Sequence, residues 1–197
     1  MAIEAVVSCT GTELAVGQMP GFETRLRALF PAIGVLHPEG SDADISLAHV
    51  LQSAALALQA QAGCPVSFAR TTATSDAGVY QVVVEYSEEA VGRQAFDNAQ
   101  QLIQAALGHG SFDAEKAVAD LRELDEDERL GPSTGSIVEA AVARGIPYRR
   151  LTRGSLVQFG WGSKQRRIQA AEVDSTSAVA ESIGQDKDLT KRLLHAA

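Results

Sequence analysis

Two cysteines, Cys9 and Cys64, four scattered histidines and the run Gly160-Trp161-Gly162-Ser163-Lys164 are the residues whose types could do chemistry. Cys9 and Cys64 have no partner at metal-ligand spacing, and a pair this sparse makes no disulfide framework. Both read as reduced, structural thiols. The GWGSK run lacks the spacing with which a P-loop wraps phosphates, so it reads as a glycine hairpin. No Ser/His/Asp or Cys/His set is recognisable. Lys164, Arg166 and Arg167 form a local basic patch, yet the net charge is -8. A general nucleic-acid binder needs a basic face to displace counterions, so nucleic acid is not the expected partner.

The elements that must position these residues follow from periodicity. Phe22, Leu26, Leu29 and Phe30 share one face of a short helix that Pro31 ends. Ile33 to Leu36 suggests a short strand. Leu47, Val50, Leu51, Ala54 and Leu58 give a helix over 46–62, closed by Gly63. Strand-type runs cover 65–72 and 79–86, with Asp76-Ala77-Gly78 as the turn between them. Helices follow over 88–107 and 113–128; the second mixes acids with bases and reads as a solvated surface helix.

A boundary falls near Leu130. Gly131-Pro132-Ser133-Thr134 reads as a turn and cap before a helix over 136–144. Strands are expected over 148–151, 155–159 and 167–171, then helices over 175–183 and 186–196. The fold class is α+β: a mixed helix/sheet domain over 1–130, then a second piece over 131–197. Hydrophobic residues make up 45% and charged residues 21%, the balance of a globular protein with a buried core. The longest apolar stretch, Ala54 to Leu58, is too short to span a bilayer, and no charged leader precedes an apolar run. A soluble, cytoplasmic protein without membrane contact is expected. The first residues have no preceding turn or cap, and LLHAA has no helix stop signal, so both ends read as cuts.

Two stretches carry a resemblance. LGPSTGSIVEAAVARGIPYRRLTRGSLVQFGWGSKQ, continuing to Ala197, is very similar to the segment joining the two leading domains of cyanophycin synthetases. LAHVLQSAALALQAQAGCPVSFARTTATSDAGVYQVVVEYSEEAVGR resembles the body of that family's amino-terminal domain. Cyanophycin is a storage polymer with a poly-aspartate backbone and arginine on each side-chain carboxylate. The resemblance implies part of an ATP-dependent ligase that polymerises aspartate and arginine. The domain over 1–130 would bind polymer or primer, and 131–197 would be a linker and the start of the ATP-grasp domain. A stand-alone, non-catalytic polymer-binding or priming module is the alternative. ATP and magnesium would serve the full-length enzyme, with none bound by this chain alone. A homotetramer is also implied. The family's usual first strand, with an Arg-Gly-Pro turn, has no counterpart before Met1.

The resemblance also assigns roles. Ser133, in LGPST, would approach the growing end of the polymer, where a hydroxyl and free amides at a helix start suit a carboxylate. It would otherwise cap its own helix. Arg70, in FART, would lie on the polymer-binding face and pair with carboxylates of the zwitterionic polymer, or be an ordinary surface arginine. Lys187, with Asp186 and Lys191, resembles the opening of an ATP-grasp helix, so a weak ATP contact is assigned to Lys187. Some members carry HxxEH on the helix matching 46–62, an inverzincin pattern with two zinc ligands and a general base. Here His49 remains, Gln52 replaces the base and Ser53 replaces the second ligand. The site is degenerate, and no metal is expected.

Overall fold

The computed structural model describes residues 1–36, 45–170 and 172–196. The chain divides into two compact units, Met1–Arg129 and Leu130–Ala197. Each is described by itself.

The first unit contains strands β1 (Ala2–Ser8), β2 (Ala69–Ala73) and β3 (Val79–Glu85). Its helices are α1 (Phe22–Leu29), α2 (Leu47–Ala62), α3 (Glu89–Leu107) and α4 (Ala114–Glu128). The strands form an antiparallel sheet in the order β1-β3-β2. Side chains alternate across it. Val82 and Val84 are fully buried against the helices, joined by Ile3, Ala5 and Val7 from β1. Helix α2 packs on β2 and β3, and α3 runs under β1. Alanines let these helices approach closely: Ala48, Ala54 and Ala55 on α2, Ala95, Ala99 and Ala106 on α3, all buried. Phe22, Leu26, Leu58, Leu102 and Leu121 fill the remaining core.

Several local expectations need correction. Strand β1, to which the sequence reading assigned no element, carries a period-2 pattern with Ile3, Ala5 and Val7 on one face. Residues Pro31–Ile33 form a 3-10 turn rather than leading into a strand, and Gly34 follows at φ 74°. Ile33 and Leu36 are buried there as single anchors. β2 starts only at Ala69: Pro65 has no N–H, and the amides of Ser67 and Phe68 donate to the Glu85 carboxylate at 2.7 and 2.9 Å. Helix α4 is not simply solvated. It buries Ala117, Leu121 and Asp125, and Ser87 Oγ donates to Asp125 Oδ1 at 2.7 Å.

The second unit contains α5 (Pro132–Val142), β4 (Tyr148–Arg150), β5 (Leu156–Phe159), β6 (Arg166–Gln169), β7 (Glu172–Val173), α6 (Ala178–Gln185) and α7 (Lys187–Ala196). The strands form an antiparallel meander, β4-β5-β6-β7. Val138, Val157 and Ile168 make its small core. β7 is too short to show in the sequence pattern, and Ala171 lies outside the described residues. Helix α5 begins at Pro132, earlier than Ser136, because proline at the first helical position has no N–H to leave unsatisfied.

Candidate functional site

The helices cover one face of the first unit's sheet, and side chains of the opposite parity stand on a face that no described helix of this unit covers. Pairing places Arg70 opposite Val83 and Val83 opposite Glu4, one row across the three strands. Thr72, Gln81 and Val6 form the next row. Val6 is 71% and Phe68 52% exposed on this face. Glu4 accepts from Gln81 Nε2, and Glu85 accepts from the Ser67 and Phe68 amides. Those amide donors, Ser67 first, hold the Glu85 carboxyl below its usual range. Both carboxylates are therefore occupied. Arg70 is exposed and makes no side-chain hydrogen bond or ion pair among the described residues. Its N–H donors are open to an external carboxylate.

Ser133 is exposed in the first turn of α5 and does not cap it; Gly131 holds the N-cap position. The first intrahelical bond at this end is Gly135 N–H to Gly131 O at 2.8 Å. The Ser133 and Thr134 amides precede it and have no intrahelical acceptor. The Ser133 hydroxyl and these two amide donors thus lie together in the first turn of α5. Thr134, which the sequence did not single out, is buried and donates through Oγ1 to Ala170 O at 3.2 Å, fixing this turn against the residue that follows β6. Because Ser133 is no cap, Ser133→Ala should change stability by less than about 0.5 kcal/mol. A cap would have been worth about 1 kcal/mol. Thermal melts of the two proteins check this.

Lys187 is exposed at the first position of α7, where Asp186 Oδ1 accepts from the amides of Asp188 and Leu189 at 3.0 and 2.9 Å. A cation gains nothing from the helix dipole at this end. Lys187 and Asp186 line an open cavity of about 840 Å³ at the α6–α7 corner. Among the described residues no strand-to-helix glycine loop accompanies them.

His49 lies in the first turn of α2, half-buried. The Ser46 amide donates to its Nδ1 at 3.3 Å, and Ser46 Oγ lies 2.9 Å from the same atom. Tyr80 stands edge-on, ring centroids 5.6 Å apart. The imidazole is a helix cap, a role the reading of His49 as a leftover ligand did not foresee. Its Nδ1 lone pair is engaged, and among the described residues no three His, Cys, Asp or Glu come together. These residues do not fit zinc. Elemental analysis should find far less than one zinc per chain, and cyanophycin incubated with protein and added zinc should keep its length. Stoichiometric zinc with shortened polymer would overturn this.

Burial lowers the His49 pKa from its ordinary 6.5. The unfolded chain therefore binds the proton first as pH falls, so stability present above pH 6.5 is lost through the lower folded value. Melting temperatures across that window should fall, and His49→Gln should flatten the decline. Cys9 and Cys64 are free, and burial pushes both thiols up, which disfavours the nucleophilic thiolate.

The first unit is thus an α+β domain with helices on one sheet face and, on the other, Arg70 with no side-chain partner among the described residues. Residues 6–108 match the family model described as cyanophycin synthase-like N-terminal domain, and the chain belongs to that family. It is 36% identical over 198 residues to a cyanophycin synthetase of Trichormus variabilis, covering 99% of this chain and 20% of that protein. It is 38% identical over 154 residues to a cyanophycin synthetase of Geminocystis herdmanii, covering 77% of this chain and 18% of that protein. The chain spans about a fifth of the length of the curated relatives it matches. Among the described residues no helix is long and apolar enough to cross a membrane.

Proposed function

We propose that this chain supplies polymer or primer binding to a cyanophycin synthetase, a cytoplasmic, homotetrameric ligase that joins aspartate and arginine with ATP. The observation that carries the reading is Arg70, a charge with no side-chain partner among the described residues, on a sheet face where the carboxylates of Glu4 and Glu85 are both engaged. Each arginine of the polymer retains an α-carboxylate, and a guanidinium can grip it through two parallel hydrogen bonds. Phe68 and Val83 beside Arg70 offer apolar surface to the arginine stems. Ser133, with the Ser133 and Thr134 amides, suits a second carboxylate, that of the growing backbone end.

In this reading residues 131–197 open the ATP-grasp domain. ATP supplies the phosphoryl group that activates the backbone carboxylate. Lys187 would contribute at most one charged contact to it. The residues present do not fit a complete nucleotide site, since among those described no acidic cluster could hold magnesium. No step is therefore assigned to this chain beyond holding polymer.

The test uses the full-length ligase. Ser133→Ala should slow aspartate addition or raise the requirement for primer, with the melting temperature unchanged. Unchanged kinetics would remove Ser133 from the site.

A further inference from the structure

The face that carries Arg70 also carries an anion with capacity to spare. Pairing extends one residue before β2: Glu85 N–H donates to Phe68 O at 2.8 Å, so Phe68 stands opposite Glu85 as Arg70 stands opposite Val83. Side chains alternate across a strand. Ala69 packs on the core and Thr71 Oγ1 donates to Ala48 O at 3.5 Å, so Phe68 and Arg70 point the other way, with Val83 and Glu85. These side chains make a small grid. One end holds an aromatic ring and a carboxylate, the other a guanidinium and an apolar side chain.

The fold uses only half of the Glu85 carboxylate. The Ser67 and Phe68 amides and the Ser67 hydroxyl all donate to Oε2. Oε1 accepts no hydrogen bond among the described residues. The same amides hold the carboxyl below its usual range, which keeps it ionised. Arg70 and Glu85 are diagonal neighbours, about 7–8 Å apart at such positions of a ladder. No ion pair joins them among the described residues. Phe68 is 52% exposed, so much of its ring is open to a ligand.

Opposite charges held apart, with a ring beside the anion, complement a ligand whose charges are spaced alike and reversed. Arginine has that form. Six single bonds of about 1.5 Å separate its carboxylate carbon from its guanidinium carbon, about 7 Å when extended. Free arginine also carries an α-ammonium beside the carboxylate, which Arg70 would repel; acylation at Nα removes that charge. We infer that Phe68, Arg70 and Glu85 form a subsite for one Nα-acylated arginine. Its carboxylate pairs with Arg70. Its guanidinium lies on the Phe68 ring and donates to Glu85 Oε1. Each arginine of cyanophycin is acylated in this way by an aspartate side chain. The subsite takes its natural ligand from the polymer-binding reading and rests on it in that respect. It adds a direction to the bound arginine and a preference for guanidinium over a neutral side chain.

Titration of Nα-acetyl-arginine into the whole chain, followed by NMR amide shifts, tests the subsite without the polymer. The shifts should centre on Phe68, Arg70 and Glu85. Nα-acetyl-citrulline keeps the stem and the carboxylate but ends in a neutral urea, and it should bind about fivefold or more weaker. Free arginine should be weakened about as much by its ammonium. Glu85→Gln keeps an acceptor for the Ser67 and Phe68 amides and loses the charge, so it should bind acetyl-arginine and acetyl-citrulline alike. Phe68→Leu should weaken acetyl-arginine about threefold. Should Glu85→Gln fail to fold, the wild-type comparison and Phe68→Leu decide. Shifts confined to other residues, equal binding of the two acetylated ligands by wild type, or a Phe68→Leu chain that binds as wild type does would each overturn the subsite. Soluble cyanophycin, titrated in parallel, separates the two readings. If it binds while wild type treats the acetylated ligands alike, the subsite falls and polymer binding stands. If the acetylated ligands behave as expected and cyanophycin does not bind, the subsite stands and the polymer reading falls.

Discussion

Arg70→Ala should weaken binding of soluble cyanophycin to this chain by about tenfold or more, while the melting temperature stays where it is. A hydrogen bond to a charged group is worth about 1.5–3 kcal/mol, and about 1.4 kcal/mol is a factor of ten. Arg70 makes no side-chain bond among the described residues, so its loss leaves nothing in the fold unpaired. Exposed substitutions of this kind change stability by less than about 0.5 kcal/mol. Arg70→Lys should recover part of the affinity, because an ammonium keeps the charge but not the planar fork. A binding isotherm at low salt checks the affinity. A variant that binds as tightly as wild type would return Arg70 to the ordinary surface.

Phe22→Ala should destabilise the first unit by about 3–5 kcal/mol, the cost of removing a buried aromatic side chain and leaving its cavity. Phe22 is fully buried at the start of α1, a helix that packs against α3. Arg25 Nε donates to Ala106 O at 2.6 Å, tying the same helix pair together. Small domains hold about 5–15 kcal/mol in total, so the variant should unfold at a much lower denaturant midpoint. A loss below about 1 kcal/mol would mean that the pocket around Phe22 collapses freely.

Much of this architecture is legible from residue spacing. Leu47, Val50, Leu51, Ala54 and Leu58 trace α2, and Tyr80, Val82 and Val84 trace the inner face of β3, because one face of each is buried. β1 escaped because its inward residues include an alanine and its outward residue Val6 is apolar, which blurs the alternation. α4 looked fully solvated because charge dominates its composition, yet Leu121 is entirely buried. Ile33 to Leu36 has strand-type residues, but Pro31 and Gly34 impose a turn.

The candidate site was legible only in part. Arg70 and Ser133 were identified through resemblance to a family, and their spacing alone would not have marked them. That Arg70 is the open charge of its face depends on Glu4 and Glu85 finding partners in Gln81, Ser67 and Phe68, pairings that only the strand register brings about. Ser133 was read as a polymer contact with helix capping as the alternative; the start of α5 at Pro132 puts it inside the first turn and leaves the N-cap position to Gly131. The cap role of His49 depends on Ser46, three positions earlier, a contact that becomes visible once the helix start is fixed.

The central claim is that this chain holds cyanophycin without performing ligation. Titration of soluble cyanophycin into the purified chain, with ATP consumption followed in the same cell, tests it most directly. Saturable binding at low salt that weakens as screening shortens the reach of the charges is the predicted result, with no primer-dependent ATP consumption. Absence of binding at low salt, or ATP turnover that depends on primer, would contradict it.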